Sequence, residues 1–150
     1  MSTRCMIGIE YADGTIRSVY CHNDGYPEGV GRILVENYKT VERVEAVMKL
    51  GALSSLGREP VSFTREEYDA FGREMTEEEL SAKCLSYKGW RDDDVPADEV
   101  EGRGEYVDFN CADGDIEYLY LFDAGSAVWR VHETAKGGYD FVPVVFRLTR

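Results

Sequence analysis

The sequence predicts an α+β domain. An N-terminal hairpin and a C-terminal meander form an antiparallel sheet, and two or three short helices pack on one face of it. Three observations carry this reading. An Asp13-Gly14 turn separates two strand-like segments, residues 6–11 and 16–21. Apolar residues recur at helical spacing from Val30 to Met48. Segments rich in Val, Leu, Phe, Tyr and Trp, divided by turn residues, close the chain. A lone hairpin is marginal in water, so it needs further strands or a helix to cover its apolar face. At 150 residues, 43% of them hydrophobic, the chain fits a single domain over 1–150 with a core of its own.

Asp-Gly is the strongest short hairpin signal, because a type I′ turn needs positive φ at both central residues. With Asp13-Gly14 as a two-residue loop, Ile7 opposes Tyr20, and Glu10 meets Arg17 as an opposite-charge pair. Beyond the hairpin, Val30, Ile33, Leu34, Tyr38 and Val41 mark a first helix. Thr40 caps a second over residues 41–50, and Gly51 supplies the left-handed residue past its end. Residues 52–57 read as a short turn with Leu53 and Leu56 on the core. Thr64 with Glu67, and Thr76 with Glu79, match the capping box.

Residues 82–87 read as a short strand, and residues 91–105 as a mobile acidic loop containing Pro and Gly. Further strands are expected over 106–109, 116–122, 127–132 and 141–148. Good turn chemistry divides the last three, at Asp123-Ala124-Gly125-Ser126 and Lys136-Gly137-Gly138. Pro143 cannot donate to a ladder, which makes the last strand an edge or a bulged one.

The formal net charge is -12, from 29 acidic and 17 basic residues. Binding a phosphate backbone directly requires a basic stripe, and none is visible, so nucleic acid is not an expected partner. The acidity serves solubility, or else forms a face that competes with nucleic acid for a basic groove on another protein. Cys5, Cys21, Cys84 and Cys111 include no C-x-x-C pair, so they read as buried reduced thiols of a cytoplasmic protein. Neither a signal peptide nor a membrane-spanning run is visible, and no membrane partner is expected.

Candidate chemistry concentrates in residues 18–32. His22, Asp24 and Glu28 lie close together, with Cys21 beside them and Arg32 just beyond. A histidine with carboxylates suits metal binding or acid–base work, yet the same residues serve equally as turn and helix-start chemistry. Gly25, Gly29 and Gly31 either offer backbone N–H groups to an anion beside Arg32 or permit close packing of helix on sheet. There is no G-x-G-x-x-G and no Walker lysine. Tyr20 and Tyr26 flank the loop and suit stacking or anchoring of a partner. The recognition set is therefore Tyr20, His22, Asn23, Asp24, Tyr26, Glu28 and Arg32. No catalytic residue, metal ligand or cofactor is assigned. His132, beside Trp129 and Val131, reads as a satisfied strand histidine. The Asp92-Asp93-Asp94 run lacks EF-hand spacing and reads as a solvated loop.

Several blocks of this chain resemble a family of small proteins common in bacteriophages, prophages and their bacterial hosts. They are Met6-Ile7-Gly8-Ile9, Asp13-Gly14, Val19-Tyr20-Cys21-His22, Asp24-Gly25-Tyr26-Pro27-Glu28, Leu53-Ser54-Ser55-Leu56-Gly57 and Glu117-Tyr118-Leu119-Tyr120-Leu121-Phe122. The blocks total 26 residues on either side of a stretch, residues 58–114, that hardly shares the resemblance. The family carries an aromatic, often Trp, after the histidine, where this chain has Asn23. The resemblance implies a mobile-element origin and supplies no reaction. The expected function is binding, as an inhibitor of a host defence or nucleic-acid-handling protein. The alternative is a small-ligand protein that takes a nucleotide or other anion at Tyr20, His22, Tyr26 and Arg32. A third reading is a metal-assisted hydrolase using His22 with Asp24 or Glu28. Oligomeric state is not legible.

Overall fold

The computed structural model describes residues 2–71, 74–112 and 114–146. β1 (Arg4–Glu10) and β2 (Ile16–Cys21) form the expected hairpin, in a different register. Tyr11 N donates to Thr15 O and Gly14 N to Tyr11 O, each at 2.9 Å, so the loop holds Ala12, Asp13 and Gly14. Within it only Gly14 takes a positive φ, +91°, whereas a type I′ turn needs two such residues. Asp-Gly serves equally well in this three-residue solution, where the Asp13 carboxylate accepts from Thr15 N at 2.9 Å. The pairing slides by one residue, so Ile7 opposes Val19 and Glu10 opposes Ile16. The expected Glu10–Arg17 pair is replaced by a two-bond contact from Arg103, both bonds 2.8 Å.

After one π-helical turn at Pro27–Gly31 come α1 (Arg32–Asn37) and α2 (Val41–Leu50). The Thr40 side chain accepts from Arg43 N, and Gly51 at φ +76° closes α2, as expected. The chain continues through β3 (Leu53–Ser55), β4 (Glu59–Ser62), α3 (Arg65–Phe71), α4 (Glu77–Leu80), β5 (Lys83–Ser86) and α5 (Tyr87–Arg91). β3 is a short strand between β2 and β5 where the sequence reads as a turn, three residues being too few to show a strand's alternation. Both capping boxes form, with Thr64 and Glu67 exchanging bonds at 3.1 and 3.0 Å and Thr76 and Glu79 at the same distances. The remaining elements are β6 (Asp98–Val100), α6 (Arg103–Cys111), β7 (Ile116–Asp123), β8 (Val128–Glu133) and β9 (Val142–Pro143).

The strands make one nine-stranded sheet in the order β4-β5-β3-β2-β1-β7-β8-β9, with β6 also pairing β2. The sheet is mixed rather than antiparallel. β1 lies parallel to β7, β2 to β3 and β4 to β5. The hairpin and the C-terminal strands do share one sheet, and β7, β8 and β9 are antiparallel as expected. The join between the two parts is the parallel β1–β7 pair, because a connection carrying helices can return a strand in either direction.

Helices also cover both faces, not one. Alternate residues of the central strands, Ile7, Ile9, Val19, Tyr120 and Phe122, meet Val30, Leu34, Tyr38, Val44, Val47 and Met48. The opposite set, Met6, Ile16, Leu119 and Leu121, meets Tyr106 and Val107. Those two belong to α6, where the sequence suggested a strand over 106–109. Four residues of aromatic and β-branched character do not distinguish the two states. The buried set Tyr106, Val107 and Asn110 has helical spacing.

Part of the expected loop over 91–105 is ordered secondary structure. Val100 pairs with Ile16 and Asp98 with Ser18, and α6 starts at Arg103. Of the strand expected over 141–148, Val142–Pro143 forms β9 at the sheet's edge, as the proline requires; residues 147–148 lie outside those described. Cys5, Cys21 and Cys84 are buried free thiols, and burial pushes Cys84 up to about 11, whereas Cys111, expected to be buried, is partly exposed at the end of α6.

Candidate functional site

The loop after β2 is held almost entirely by its own backbone. His22 N and Asn23 N donate to Leu53 O and Ser54 O at 3.0 Å, extending β2 along β3. Asp24 takes φ +58°, a conformation that Asn and Asp tolerate better than other side chains. Gly25 N then donates to Thr3 O at 2.8 Å, Gly29 N to Tyr26 O at 2.9 Å and Val30 N to Asp24 O at 2.8 Å. The buried Tyr120 hydroxyl donates to Gly25 O at 2.7 Å. Of the N–H groups that the sequence offered to an anion, Gly25 is thus engaged by Thr3, ahead of β1, and Gly29 inside the loop. Gly31 admits close packing instead, since a Cβ there would stand 3.2 Å from the Tyr120 hydroxyl and from Val144.

The recognition set divides into separate groups. Tyr20 and His22 stand together, hydroxyl to Nδ1 at 2.7 Å, with Tyr20 packed among the α6-side residues. Burial pushes the Tyr20 hydroxyl upward against the opposing pull of the Arg4 guanidinium. Asp24 and Tyr26 form a second pair at 3.4 Å, with Tyr26 39% exposed and Asp24 and Glu28 open to solvent. The Asp24 carboxylate, then burial and Glu28, hold the Tyr26 hydroxyl above its ordinary range, which marks a negative surrounding unsuited to an anion. Asn23 is anchored, donating to Ser54 O at 2.9 Å and accepting from Ser2 Oγ at 2.7 Å. Arg32 pairs with Glu36 at 3.2 Å within α1. Among the described residues, no three His, Cys, Asp or Glu side chains gather as a metal site would require.

His132 is buried and donates through Nδ1 to Asp140 O at 2.8 Å, while its Nε2 meets no partner among the described residues. The strand histidine is therefore satisfied on one side only.

Sequence reasoning missed two surfaces. The first is a cavity of about 570 Å³ lined by residues of β1, β2, β6 and α6, among them Arg4, Tyr20, Asp98, Phe109 and Asn110. These residues are far apart in the chain, and a strand in place of α6 hid them from view. The second is an aromatic cluster. Trp90 packs edge-on against Tyr68 at 5.6 Å and beside Tyr87 at 6.3 Å, and the Arg91 guanidinium lies 4.2 Å from the Trp90 ring centre. Its signal was the Tyr87–Arg91 run between two acidic stretches.

His22→Ala and Tyr26→Ala are expected to change stability by no more than about 1 kcal/mol each. Each removes one bond from a partly exposed side chain, which is the usual net worth of such a contact. Urea unfolding of both variants checks this.

No protein-family model, curated protein or solved structure matches this chain.

Proposed function

We propose that this chain is an accessory protein of the phage or prophage type that acts by binding, and that its acidic face seats on a basic, nucleic-acid-handling protein and inhibits it. One observation carries the reading. Residues 59–101 hold fourteen acidic residues against five basic ones. They build β4, α3, α4, β5, α5 and β6, and Glu66, Asp69, Glu74, Glu77, Glu78, Asp93, Asp94 and Glu99 are all exposed there. The same segment holds the Trp90, Tyr87, Tyr68 and Arg91 cluster. Aromatic and arginine side chains are the anchors most enriched at protein interfaces. A partner whose own ligand is a phosphate backbone presents the complementary charge, so the acidic face competes for it without needing basic residues of its own.

The test is capture from bacterial extract by the wild-type chain and by a variant carrying Asp69→Lys, Glu74→Lys, Asp93→Lys and Asp94→Lys. None of these four side chains caps a helix, and Asp69 lies in the last turn of α3, where a cation is favoured. Nucleic-acid-binding proteins are expected on the wild type and not on the variant. Recovery of the same proteins by both would remove the electrostatic mechanism. Trp90→Ala is expected to weaken binding to a recovered partner by about 2 kcal/mol, roughly thirtyfold, as hot-spot truncations do.

A further inference from the structure

We propose that the cavity between α6 and strands β1, β2 and β6 is a binding site for a flat heteroaromatic base of the guanine type, taken as the free base or nucleoside. This goes beyond the acidic-face reading and uses none of the side chains altered in its test.

The cavity, about 570 Å³, is of the size that small-molecule sites occupy. Two aromatic rings line it. Tyr20 is fixed by its 2.7 Å bond to His22. Phe109 is 58% exposed, although its helix neighbours Tyr106 and Val107 are sealed in the core. The fold gains little from a phenylalanine in that position, whereas a stacking partner for a planar ring belongs there.

The polar groups define the edge to be read. Asn110, 7% exposed, donates through Nδ2 to Tyr106 O at 2.8 Å, and among the described residues no donor meets its Oδ1. Asp98 adds an exposed carboxylate. Both are acceptors, and they call for adjacent N–H donors such as the N1–H and amino group of guanine. Arg4 supplies the complementary donors. Its only carboxylate partner among the described residues is Asp115 at 3.7 Å, an exposed and therefore weak pair that a ligand can replace.

Charge selects further. One arginine faces two aspartates, Asp98 and Asp115, so the lining repels a phosphate chain. The nucleotide reading of the Tyr20 and His22 region thus narrows to a base or nucleoside.

The test is calorimetric titration of the full chain with guanosine, adenosine, cytidine and GTP. Guanosine is expected to bind one to one, at least tenfold tighter than any of the other three. Phe109→Ala and Asp98→Asn, both at exposed positions, are each expected to weaken guanosine about tenfold or more, the scale of one base–aromatic contact for the first and of one base-edge hydrogen-bonding pair for the second, with the melting temperature unchanged. The proposal is overturned if guanosine fails to bind at millimolar concentration. It is equally overturned if GTP or adenosine binds more tightly, or if both variants bind guanosine as the wild type does.

Discussion

Gly25→Ala is expected to destabilise the fold by about 3–5 kcal/mol, a large fraction of the margin on which a domain of this size stands. A Cβ at this position would lie 2.8 Å from Thr3 O, 2.8 Å from Cys5 Cβ and 3.1 Å from Arg4 C. None of these is the end of a flexible side chain, so β1 itself must move. Overpacking of this kind typically costs about 1–3 kcal/mol. The shift also strains the bond from Gly25 N to Thr3 O and strands the Tyr120 hydroxyl, which points at Gly25 O from a buried position. A buried group left unpaired adds roughly 1–3 kcal/mol. In urea the midpoint should fall with an unchanged slope, the mark of lost stability rather than an altered denatured state. A shift under about 1 kcal/mol would mean that the loop does not lock β1.

Tyr38→Ala is the second large effect, at about 3–5 kcal/mol, the range for deleting a buried aromatic. Tyr38 is fully buried just past α1, where its hydroxyl donates to Gly57 O at 2.7 Å and its carbonyl accepts from Trp129 Nε1 at 2.8 Å. The Arg43 guanidinium lies 5.3 Å from its ring centre. One residue therefore ties the helical layer to β8 and to the β3–β4 turn. Burial holds its hydroxyl protonated far above the ordinary range, so it remains a donor at every working pH. Tyr38→Phe separates the contributions, since it keeps the packing and leaves Gly57 O without its donor, at about 1–3 kcal/mol. If both variants lose the same amount, the ring's volume contributes little and this reading of the residue fails.

Local chemistry was the legible part of the fold. Thr40 with Gly51, Thr64 with Glu67, and Thr76 with Glu79 act as their sequence contexts predict, because a cap needs only neighbours within one helical turn. The hairpin was legible and its register was not, since Asp13-Gly14 satisfies both a two-residue and a three-residue loop. The parallel pairing of β1 with β7 and the placement of α6 over Met6 and Ile16 depend on contacts between distant segments. No local pattern reports those. The candidate site divides along the same line. Tyr20 and His22 are two residues apart and were found together. Arg4, Asp98 and Phe109 join Tyr20 only through the topology. Arg32, one candidate partner for an anion, is paired by its own helix, which supplies Glu36 one turn on.

The most direct measurement of the acidic-face account is a competition on a captured partner. That protein is titrated with this chain in the presence and absence of duplex DNA, at several salt concentrations. The account predicts mutual exclusion, with affinity falling steeply as salt rises because the contact is largely between charges. A ternary complex with DNA, or an affinity indifferent to salt, would contradict it.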